Sequence, residues 1–408
     1  MPTDRDRIRE WFPALDADEV FLSNAGGSQV PSPVIDGIGD YLVSSFVQPG
    51  ADYAASRRAG ETVARARALV ARLMGAEGAG HVALGASTSS LLSRLAEAVG
   101  RAGPGARDEI VVAESGHEAN VGPWVRLADR GFRVRWWRVD PERQLCPLEA
   151  LAELVGERTR IVALPHVSNL LGRVEDIAGA TRLAHEAGAR VAVDGVAYAP
   201  HRAMDVAAWD ADWYAFSLYK VYGPHMAALY GSADAFAEVE GPNHFFVDPA
   251  DPVAKFELGG VLHEGCAGLL GLADYLPAVA GRALDRQGEV DRATVLAAFA
   301  EMERLERPLQ ATLLDHLDAE PAVRRIGPGL DEDRVPTISF VHDRTSSREI
   351  AAAANEQGLG VRYGHFYAHR LAAALGLDPE DGVVRASLVH YNTPDEVERL
   401  IAFLDTVL

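Results

Sequence analysis

The residues best suited to catalysis lie in one largely apolar stretch, residues 190–231. Asp194 ends the apolar segment RVAVD, and Lys220 stands between aromatic residues in SLYKVYGP. Aromatic neighbours partly remove water from an amine, which lowers its pKa and favours the nucleophilic free base. A carboxylate at a strand end can pair with a protonated ring nitrogen. Pyridoxal phosphate chemistry uses both groups, so we predict that Lys220 carries this cofactor. The alternative is a surface lysine and a helix-capping aspartate.

A turn rich in small hydroxyl residues is a candidate phosphate site. The segment GASTSS follows a predicted strand, 81–84, and precedes a predicted helix. Free backbone N–H groups and hydroxyls at a helix N-terminus bind anions. We therefore predict a phosphate cup at Ala86, Ser87 and Thr88, with an ordinary helix cap as the alternative.

A loop near the N-terminus could contact a ligand. The segment SNAGGSQ, which includes Asn24, lies between a short predicted strand and a helix that Pro31 and Pro33 open. Small residues allow the backbone to approach a ligand closely. This loop is either a substrate contact or a plain strand–turn–helix connection.

Short strands alternate with helices through the first half of the chain, which indicates a mostly parallel α/β sheet. The predicted strands include 109–113, 132–139, 160–165 and 190–194. His117, Asn169 and Asp194 each follow one of these strands. Ligands bind at the carboxyl ends of strands in such sheets, so we expect these side chains to converge.

His117 has two possible roles. It could be a core histidine bonded to a backbone carbonyl, or it could stack on a planar cofactor ring. No second His or Cys stands near it at ligand spacing, so we predict no metal site.

Composition restricts the function classes. The 408 residues carry a formal net charge of −20, which disfavours non-specific nucleic-acid binding. No stretch approaches the roughly 20 apolar residues of a membrane span. The N-terminus has no apolar signal core, and two cysteines fit a reducing cytoplasm. No GxGxxG follows an early strand, which disfavours a nucleotide-binding oxidoreductase.

The length predicts more than one domain. We assign residues 1–18 to an N-terminal segment that packs on the small domain, 19–283 to a large cofactor-binding domain and 284–408 to a small C-terminal domain. In the later part of the chain, helices are predicted over 267–283 and 290–318.

Seven segments together resemble the fold-type I pyridoxal phosphate enzymes of the class V aminotransferase group. They are FLSNAGGSQVP, GASTSS, ESGHEAN, HVSNLLG, VDGVAYAPH, SLYKVYGP and VVRASLVHYNTPDEV. The chain is most similar to cysteine desulfurases of the SufS type and to cysteine desulfurase-like proteins. This resemblance implies a large domain with a mostly parallel, seven-stranded sheet and a small C-terminal α+β domain.

The same resemblance implies roles around the cofactor. His117 would stack on the ring, and Asn169 would lie near the ring hydroxyl. Asp194 would pair with the pyridinium nitrogen, and Ser217 would bind phosphate. Lys220 would form the covalent bond to the cofactor.

The resemblance also implies a substrate site. The N-terminal loop with Asn24 would contact the substrate, and Arg385 would bind its α-carboxylate. The SufS-type loop RxGHxC corresponds here to RYGHFY, which includes His365 and has Tyr367 at the position of the catalytic cysteine. A phenol cannot carry a persulfide, and Cys266 is the other thiol to consider, unless it is a small buried core residue.

Three further departures concern the cofactor contacts. Tyr219 replaces the family's histidine beside the lysine and would take over a phosphate contact. Ala197 stands where the family often has Gln or His, so Tyr198 could reach the ring hydroxyl instead. Gly260 stands where relatives have a threonine that reaches the partner subunit's phosphate.

We therefore expect a cytoplasmic pyridoxal phosphate enzyme that acts on a small, possibly sulfur-containing L-α-amino acid by lyase or aminotransferase chemistry. A homodimer with active sites near its interface is implied by the resemblance. The alternatives are a desulfurase that uses Cys266, an epimerase, or a non-catalytic scaffold of the same fold.

Overall fold

The computed structural model describes residues 5–283 and 289–408, in which strands and helices alternate as predicted. The strands are β1 (Val20–Phe21), β2 (Gly80–Gly85), β3 (Glu109–Ala113), β4 (Arg133–Trp137), β5 (Thr159–Pro165), β6 (Arg190–Asp194), β7 (Trp213–Ser217), β8 (Ala227–Ser232), β9 (Val323–Ile326), β10 (Thr337–His342), β11 (Leu359–Gly360), β12 (Arg362–Gly364) and β13 (Val383–Ser387).

Helices cover the sheets and connect their strands. They are α1 (Arg5–Arg9), α2 (Ser32–Ser44), α3 (Ala54–Met74), α4 (Thr88–Arg101), α5 (Gly122–Val125), α6 (Leu148–Leu154), α7 (Ile177–Glu186), α8 (Ala233–Ala237), α9 (His263–Leu270), α10 (Leu272–Val279), α11 (Arg292–Ala319), α12 (Ser347–Glu356), α13 (His369–Ala374) and α14 (Pro394–Val407). None of the helices in residues 5–283 and 289–408 is long and apolar enough to cross a membrane.

A seven-stranded sheet forms the centre of the molecule, in the order β2-β8-β7-β6-β5-β3-β4. The β3–β4, β3–β5, β5–β6 and β6–β7 pairs are parallel, whereas β8 runs antiparallel to β2 and β7. Its strands are apolar on both faces, as Ile110, Val111 and Val112 are all fully buried. Burial of both faces is typical of parallel sheets covered by helices. The predicted α/β class and sheet are confirmed.

A second, antiparallel sheet in the order β12-β13-β10-β9 carries Arg385 on β13. Helices α11 and α12 pack on it, α14 packs against both of these helices, and α14 begins with a capping box between Thr393 and Glu396. Strand β1 pairs with β11, which connects the N-terminal loop to this half of the molecule. The three-part domain division stays a prediction, and residues 1–4 and 284–288, which include its second boundary, lie outside the described residues.

The N-terminal segment is anchored in the C-terminal half of the chain. Arg9 donates to the Tyr391 carbonyl and pairs with Glu396 at 2.9 Å. Phe12 is 1% exposed and packs edge-on against Tyr275. These contacts join residues 263 to 387 positions apart, which sequence periodicity does not reveal.

The helix predicted over 267–283 is instead two helices, α9 and α10. It begins earlier, at His263, and is interrupted at Gly271. A Cβ atom at Gly271 would lie 2.4 Å from the backbone of Pro33. The close approach of α2 therefore requires glycine at the break.

Candidate active site

Two adjoining cavities open at the carboxyl ends of the parallel strands. The inner cavity is lined by Ser87, Thr88, Ser89, His117, Ala119, Pro165, Val167, Asn169, Asp194, Val196, Ala197, Ser217, Tyr219 and Lys220. The outer cavity is lined by Ala25, Gly26, His117, Asn169, Tyr219, Lys220, Arg362, Tyr363, Gly364, His365, Phe366, Tyr367, Pro379, Glu380 and Arg385. His117, Asn169, Tyr219 and Lys220 line both cavities, so the two cavities adjoin at these side chains. The structure thus brings the strand-end residues together.

Lys220 projects from the turn that follows β7. Ser28 anchors this turn, because its hydroxyl donates to the Tyr219 carbonyl and accepts from the Tyr222 N–H. Burial, with a smaller contribution from Arg385, lowers the pKa of Lys220 to about 8, although Asp194 opposes the change. The amine is therefore far closer to its nucleophilic form at neutral pH than an exposed lysine.

The lowered pKa of Lys220 predicts how attachment of the cofactor depends on pH. The free amine dominates above its pKa, so the rate at which the apoprotein attaches added pyridoxal phosphate should rise by about tenfold per pH unit at low pH. It should level off above about pH 8. With an exposed lysine, the attachment rate would level off only near the ordinary lysine pKa of about 10.4. The growth of near-visible absorbance after mixing measures the rate.

The Arg385→Gln variant is the matched control for this pH profile. Removal of the guanidinium removes a cause of the low Lys220 pKa, so the midpoint should move to higher pH. A wild-type profile that still rises steeply at about pH 10 would contradict the assigned environment of the amine.

Asp194 ends β6 and is 5% exposed. Burial raises the pKa of Asp194, whereas the hydrogen bond from Val196 and the charge of Lys220 lower it. The Val196 N–H donates to Oδ1 at 2.9 Å. A cation in the inner cavity would stabilise this buried carboxylate.

His117 is held as a neutral imidazole. Its Nδ1 accepts from the Ala119 N–H at 3.0 Å, so the ring proton lies on Nε2. Burial, followed by the charges of Lys220 and Arg385, lowers the pKa of His117 to about 4. A neutral ring over the inner cavity suits stacking on an aromatic cofactor. The ring of Tyr367 lies 5.2 Å from that of His117, at the outer cavity.

A hydroxyl cluster of Ser87, Thr88 and Ser217 lies at one end of the inner cavity, at the N-terminus of α4. Ser87 caps this helix, and the Thr88 and Ser217 hydroxyls are 2.8 Å apart. Ser89, which the sequence prediction did not select, also lines the cavity, whereas Ala86 is exposed and does not. Hydroxyls at a helix N-terminus form an anion site.

Tyr219 lines both cavities beside this hydroxyl cluster. Its ring stacks on that of His225 at 4.8 Å and lies 3.4 Å from where a Cβ on Gly27 would stand. Its phosphate contact stays a prediction.

Asn169 provides a test of whether these residues fit pyridoxal phosphate. Its Nδ2 donates to the Phe366 carbonyl at 2.7 Å, while its Oδ1 is buried without a hydrogen-bond partner. A buried acceptor without a donor is costly, and a ring hydroxyl in the inner cavity would supply the donor. With the amine of Lys220, the carboxylate of Asp194 and the hydroxyl cluster, the donor set fits the cofactor.

Tyr198 does not take the role considered for it. Its ring stacks on His166 at 3.6 Å, and its hydroxyl points to the Ala203 carbonyl. It lies outside the lining of the inner cavity, whereas Ala197 is part of it. The prediction that Tyr198 reaches the ring hydroxyl is wrong, because packing on His166 turns the side chain away.

Arg385 stands at the wall of the outer cavity and is 3% exposed. It donates to the Asn169 carbonyl at 3.0 Å, and its guanidinium lies 3.7 Å from the centre of the Phe366 ring. Its Nε is buried without a partner. Burial, and then Arg362, lower the pKa of Arg385 to about 9. A carboxylate ligand would satisfy this guanidinium.

The loop before α13 presents Tyr367 to the outer cavity. Phe366 and Tyr367 both have positive φ, +48° and +61°, which is rare for bulky residues. The Glu118 N–H donates to the Tyr367 carbonyl at 2.9 Å, and the Tyr367 N–H donates to His365 Nδ1 at 3.2 Å. These bonds hold a strained backbone of the kind that accumulates at functional sites.

Asn24 lies beneath the outer cavity and does not line it. It is 2% exposed, and its Nδ2 donates to the carbonyls of Phe21 and Ser387. Its Oδ1 accepts from the Tyr391 hydroxyl. Because these bonds occupy the amide, Asn24 positions the loop, and Ala25 and Gly26 face the cavity instead. This role of Asn24 differs from the substrate contact that the sequence predicts for it.

Neither cysteine lines the two cavities. Cys266 lies in α9 and is fully buried, and burial raises its pKa to about 12. Cys146 is 3% exposed, and burial likewise raises its pKa to about 12. Within residues 5–283 and 289–408, three or more His, Cys, Asp or Glu side chains nowhere cluster in a way that could hold a metal ion.

This chain is similar to known proteins over nearly its whole length. The family model for aminotransferase class-V matches residues 20–246 and 293–400. The chain is 37% identical to aminotransferase-like protein FGM3 of Gibberella zeae, over 99% of this chain and 98% of that protein. It is 31% identical to the cysteine desulfurase of Dickeya dadantii, over 98% of this chain and 96% of that protein. The crystal structure of the cysteine desulfurase CsdA from Escherichia coli has a TM-score of 0.81 and 27% identity, and the similarity covers 99% of this chain and 98% of that one.

Proposed function

The chain belongs to the aminotransferase class-V family of pyridoxal phosphate enzymes, and we propose that it acts on a small L-α-amino acid by lyase or aminotransferase chemistry. The main support for this proposal is the set of residues that lines the outer cavity. Tyr367 lines that cavity, and the resemblance to the SufS-type loop gives it the position of the catalytic cysteine. A thiolate, not a phenol, accepts sulfur in a persulfide.

The burial of both thiols supports the same conclusion. Cys266 is the thiol considered as a substitute, yet it lies among core residues with a raised pKa. A buried cysteine with a raised pKa is chemically inert. A desulfurase that uses Cys266 would require α9 to move.

The inner cavity supports a defined set of cofactor contacts. Ser87, Thr88 and Ser217 would hold the phosphate, and Asp194 would keep the ring nitrogen protonated. When bound, the cofactor accepts into its ring the electron pair released as a bond at the substrate Cα breaks. His117 would cover the ring and exclude water.

The residues of the outer cavity would bind and deprotonate the substrate. Arg385 would hold the α-carboxylate bidentately, which directs Cα toward Lys220. Once its amine is free, Lys220 is the general base at Cα, and a pKa of about 8 suits proton transfer near neutral pH.

We also propose a homodimer in the cytoplasm. Helix α2 and the two residues after it leave Leu42, Val43 and Phe46 between 49% and 90% exposed. Exposed apolar clusters of this kind mark association surfaces. The two cysteines are unpaired, as in a reducing compartment.

Incubation with L-cysteine tests the proposed reaction class. We expect no protein-bound persulfide, because neither thiol reaches the cavities. A parallel screen over amino acids should instead release keto acid or ammonia, with sulfide, keto acid and ammonia each measured separately. Mass spectrometry of the intact protein detects a persulfide directly.

The Cys266→Ala variant is the control. It should retain the wild-type product pattern, with a lower melting temperature from the lost packing. A wild-type persulfide that disappears in Cys266→Ala would show that the protein is a desulfurase after all.

A further inference from the structure

Phe366 contacts two residues of the proposed site at once. The guanidinium of Arg385 lies over its ring, with Cζ 3.7 Å from the ring centre. Its carbonyl accepts from the Asn169 Nδ2 at 2.7 Å. In the loop RxGHxC this residue occupies a variable position, so the resemblance assigns it no role. Its contribution follows instead from these two contacts.

The backbone of the loop fixes the direction of the Phe366 ring. Phe366 and Tyr367 both have positive φ, and the Tyr367 N–H and carbonyl are hydrogen-bonded to His365 and Glu118. The Ala368 N–H also donates to the His365 carbonyl. Positive φ costs free energy for residues other than glycine and persists only where the surroundings hold it. The hydrogen bonds of the loop thus hold the ring against the Arg385 guanidinium.

Arg385 is a buried cation without an acidic partner in the described parts of the chain. It is 3% exposed, and none of the ion pairs within 4 Å in residues 5–283 and 289–408 includes it. The negative face of an aromatic ring attracts a cation without cancelling its charge, and removal of water strengthens the attraction. An acidic side chain would compete with a substrate carboxylate, whereas the Phe366 ring does not.

The stacked ring leaves the edge of the Arg385 guanidinium free. Nη1 donates to the Asn169 carbonyl at 3.0 Å, whereas Nε is buried without a partner. The N–H groups of a guanidinium lie in its plane and bind a carboxylate from the edge, in a forked geometry. Because Phe366 covers a face and Asn169 engages one donor, the remaining donors keep a fixed direction toward a carboxylate.

We propose that Phe366 is a positioning residue whose ring stabilises and orients the Arg385 guanidinium, so that the enzyme selects amino compounds with an α-carboxylate. This inference rests on the proposed function, because it takes Arg385 as the α-carboxylate site. The hydrogen bond from Asn169 uses the main chain of Phe366, so a change of the side chain should leave that bond intact. The two contacts of Phe366 can therefore be separated by experiment.

Two reagents that differ in one carboxylate test the inference on the cofactor-loaded enzyme. Aminooxyacetate and methoxyamine both displace Lys220 from the cofactor, and the change in near-visible absorbance measures the rate. Relative to methoxyamine, aminooxyacetate should react faster with the wild type than it does with free pyridoxal phosphate. Phe366→Leu should lower the aminooxyacetate rate by about 3- to 30-fold, the range of a cation–π contact, and the methoxyamine rate by less than about twofold.

Three controls separate this role from a purely structural one. Phe340→Leu, the same change at a buried phenylalanine outside both cavities, should lower the melting temperature and keep the preference for aminooxyacetate. In the Arg385→Gln background, Phe366→Leu should have little further effect, because the ring acts through the guanidinium. Without reagent, loaded Phe366→Leu should have the wild-type absorbance, since the hydrogen bond from Asn169 remains.

Fluorinated phenylalanines at position 366 test the inference even if the leucine variant does not fold. They retain the shape of the ring and weaken its negative face, so the aminooxyacetate rate should fall with each added fluorine. A rate that is independent of fluorination, or equal slowing of both reagents in Phe366→Leu, would overturn the inference and make Phe366 a packing residue.

Failure of the proposed function would look different. The wild type would then show no greater preference for aminooxyacetate than the free cofactor does, or Arg385→Gln would retain the wild-type preference. In both cases Arg385 is not the α-carboxylate site, and the inference about Phe366 is wrong as well. Loss of the preference in Arg385→Gln, together with an unchanged preference in Phe366→Leu, would refute the inference alone.

Discussion

Replacement of Lys220 by alanine is expected to abolish the near-visible absorption of the protein and to lower turnover by about 10³-fold or more. The variant would lose both the amine proposed to bond to the cofactor aldehyde and the base proposed to remove the Cα proton. Asp194 and the hydroxyl cluster remain, so the variant should still bind the cofactor, without a covalent bond. Absorbance spectra and product assays on the same preparation measure both effects.

The chain offers an unusually clear control for this result, because Lys220 and Lys255 are its only lysines. Lys255 donates to the carbonyls of Phe236 and Val239 and lines neither cavity. Borohydride reduction should therefore place the cofactor on the peptide that contains Lys220, and Lys255→Arg should keep the absorption. Cofactor found on the Lys255 peptide would refute the assignment.

Replacement of Asp194 by alanine is expected to lower turnover by roughly 10²- to 10⁴-fold while Lys220 still attaches the cofactor. Loss of one partner from a buried ion pair costs about 3–5 kcal/mol, and about 1.4 kcal/mol corresponds to tenfold in rate. The ring nitrogen would lose the carboxylate that keeps it protonated, so the ring would withdraw fewer electrons. Steady-state kinetics with the best substrate of the screen measures the loss.

A cofactor analogue methylated at the ring nitrogen separates this electrostatic role from a structural one. Its nitrogen carries a permanent positive charge, and alanine at position 194 leaves space for the methyl group. The analogue should restore part of the lost rate in Asp194→Ala and should not help the wild type. If the analogue has no effect and the melting temperature falls sharply, Asp194 acts mainly in folding.

Several parts of the site could be predicted from sequence because one topological rule governs them. The alternation of strands and helices predicts a parallel sheet, and the carboxyl ends of parallel strands lie on the same edge. His117, Asn169 and Asp194 meet there for that reason, and Lys220 joins them from the end of β7. The identity of the cofactor followed from the residue types at this edge.

Other parts depend on contacts between distant segments. Asn24 is a polar residue in a loop of small residues. Its hydrogen bonds to Ser387 and Tyr391, more than 360 positions away, direct its side chain away from the outer cavity and into the protein framework. Tyr198 is one position from a residue that lines the inner cavity, yet stacking on His166 directs it elsewhere. Local patterns do not specify these side-chain directions.

The amino-acid sequence by itself determined the sheet and, through residue types and the family resemblance, the cofactor, and it predicts Lys220 as the lysine that carries it, because hydrophobic periodicity and residue chemistry are local properties. The tertiary structure alone decided what surrounds the substrate. It buries Cys266, holds Tyr367 in a strained loop and aligns Arg362 with Arg385 across two strands. Burial and strand register depend on packing between segments far apart in the chain, so they cannot be read from any single stretch of it.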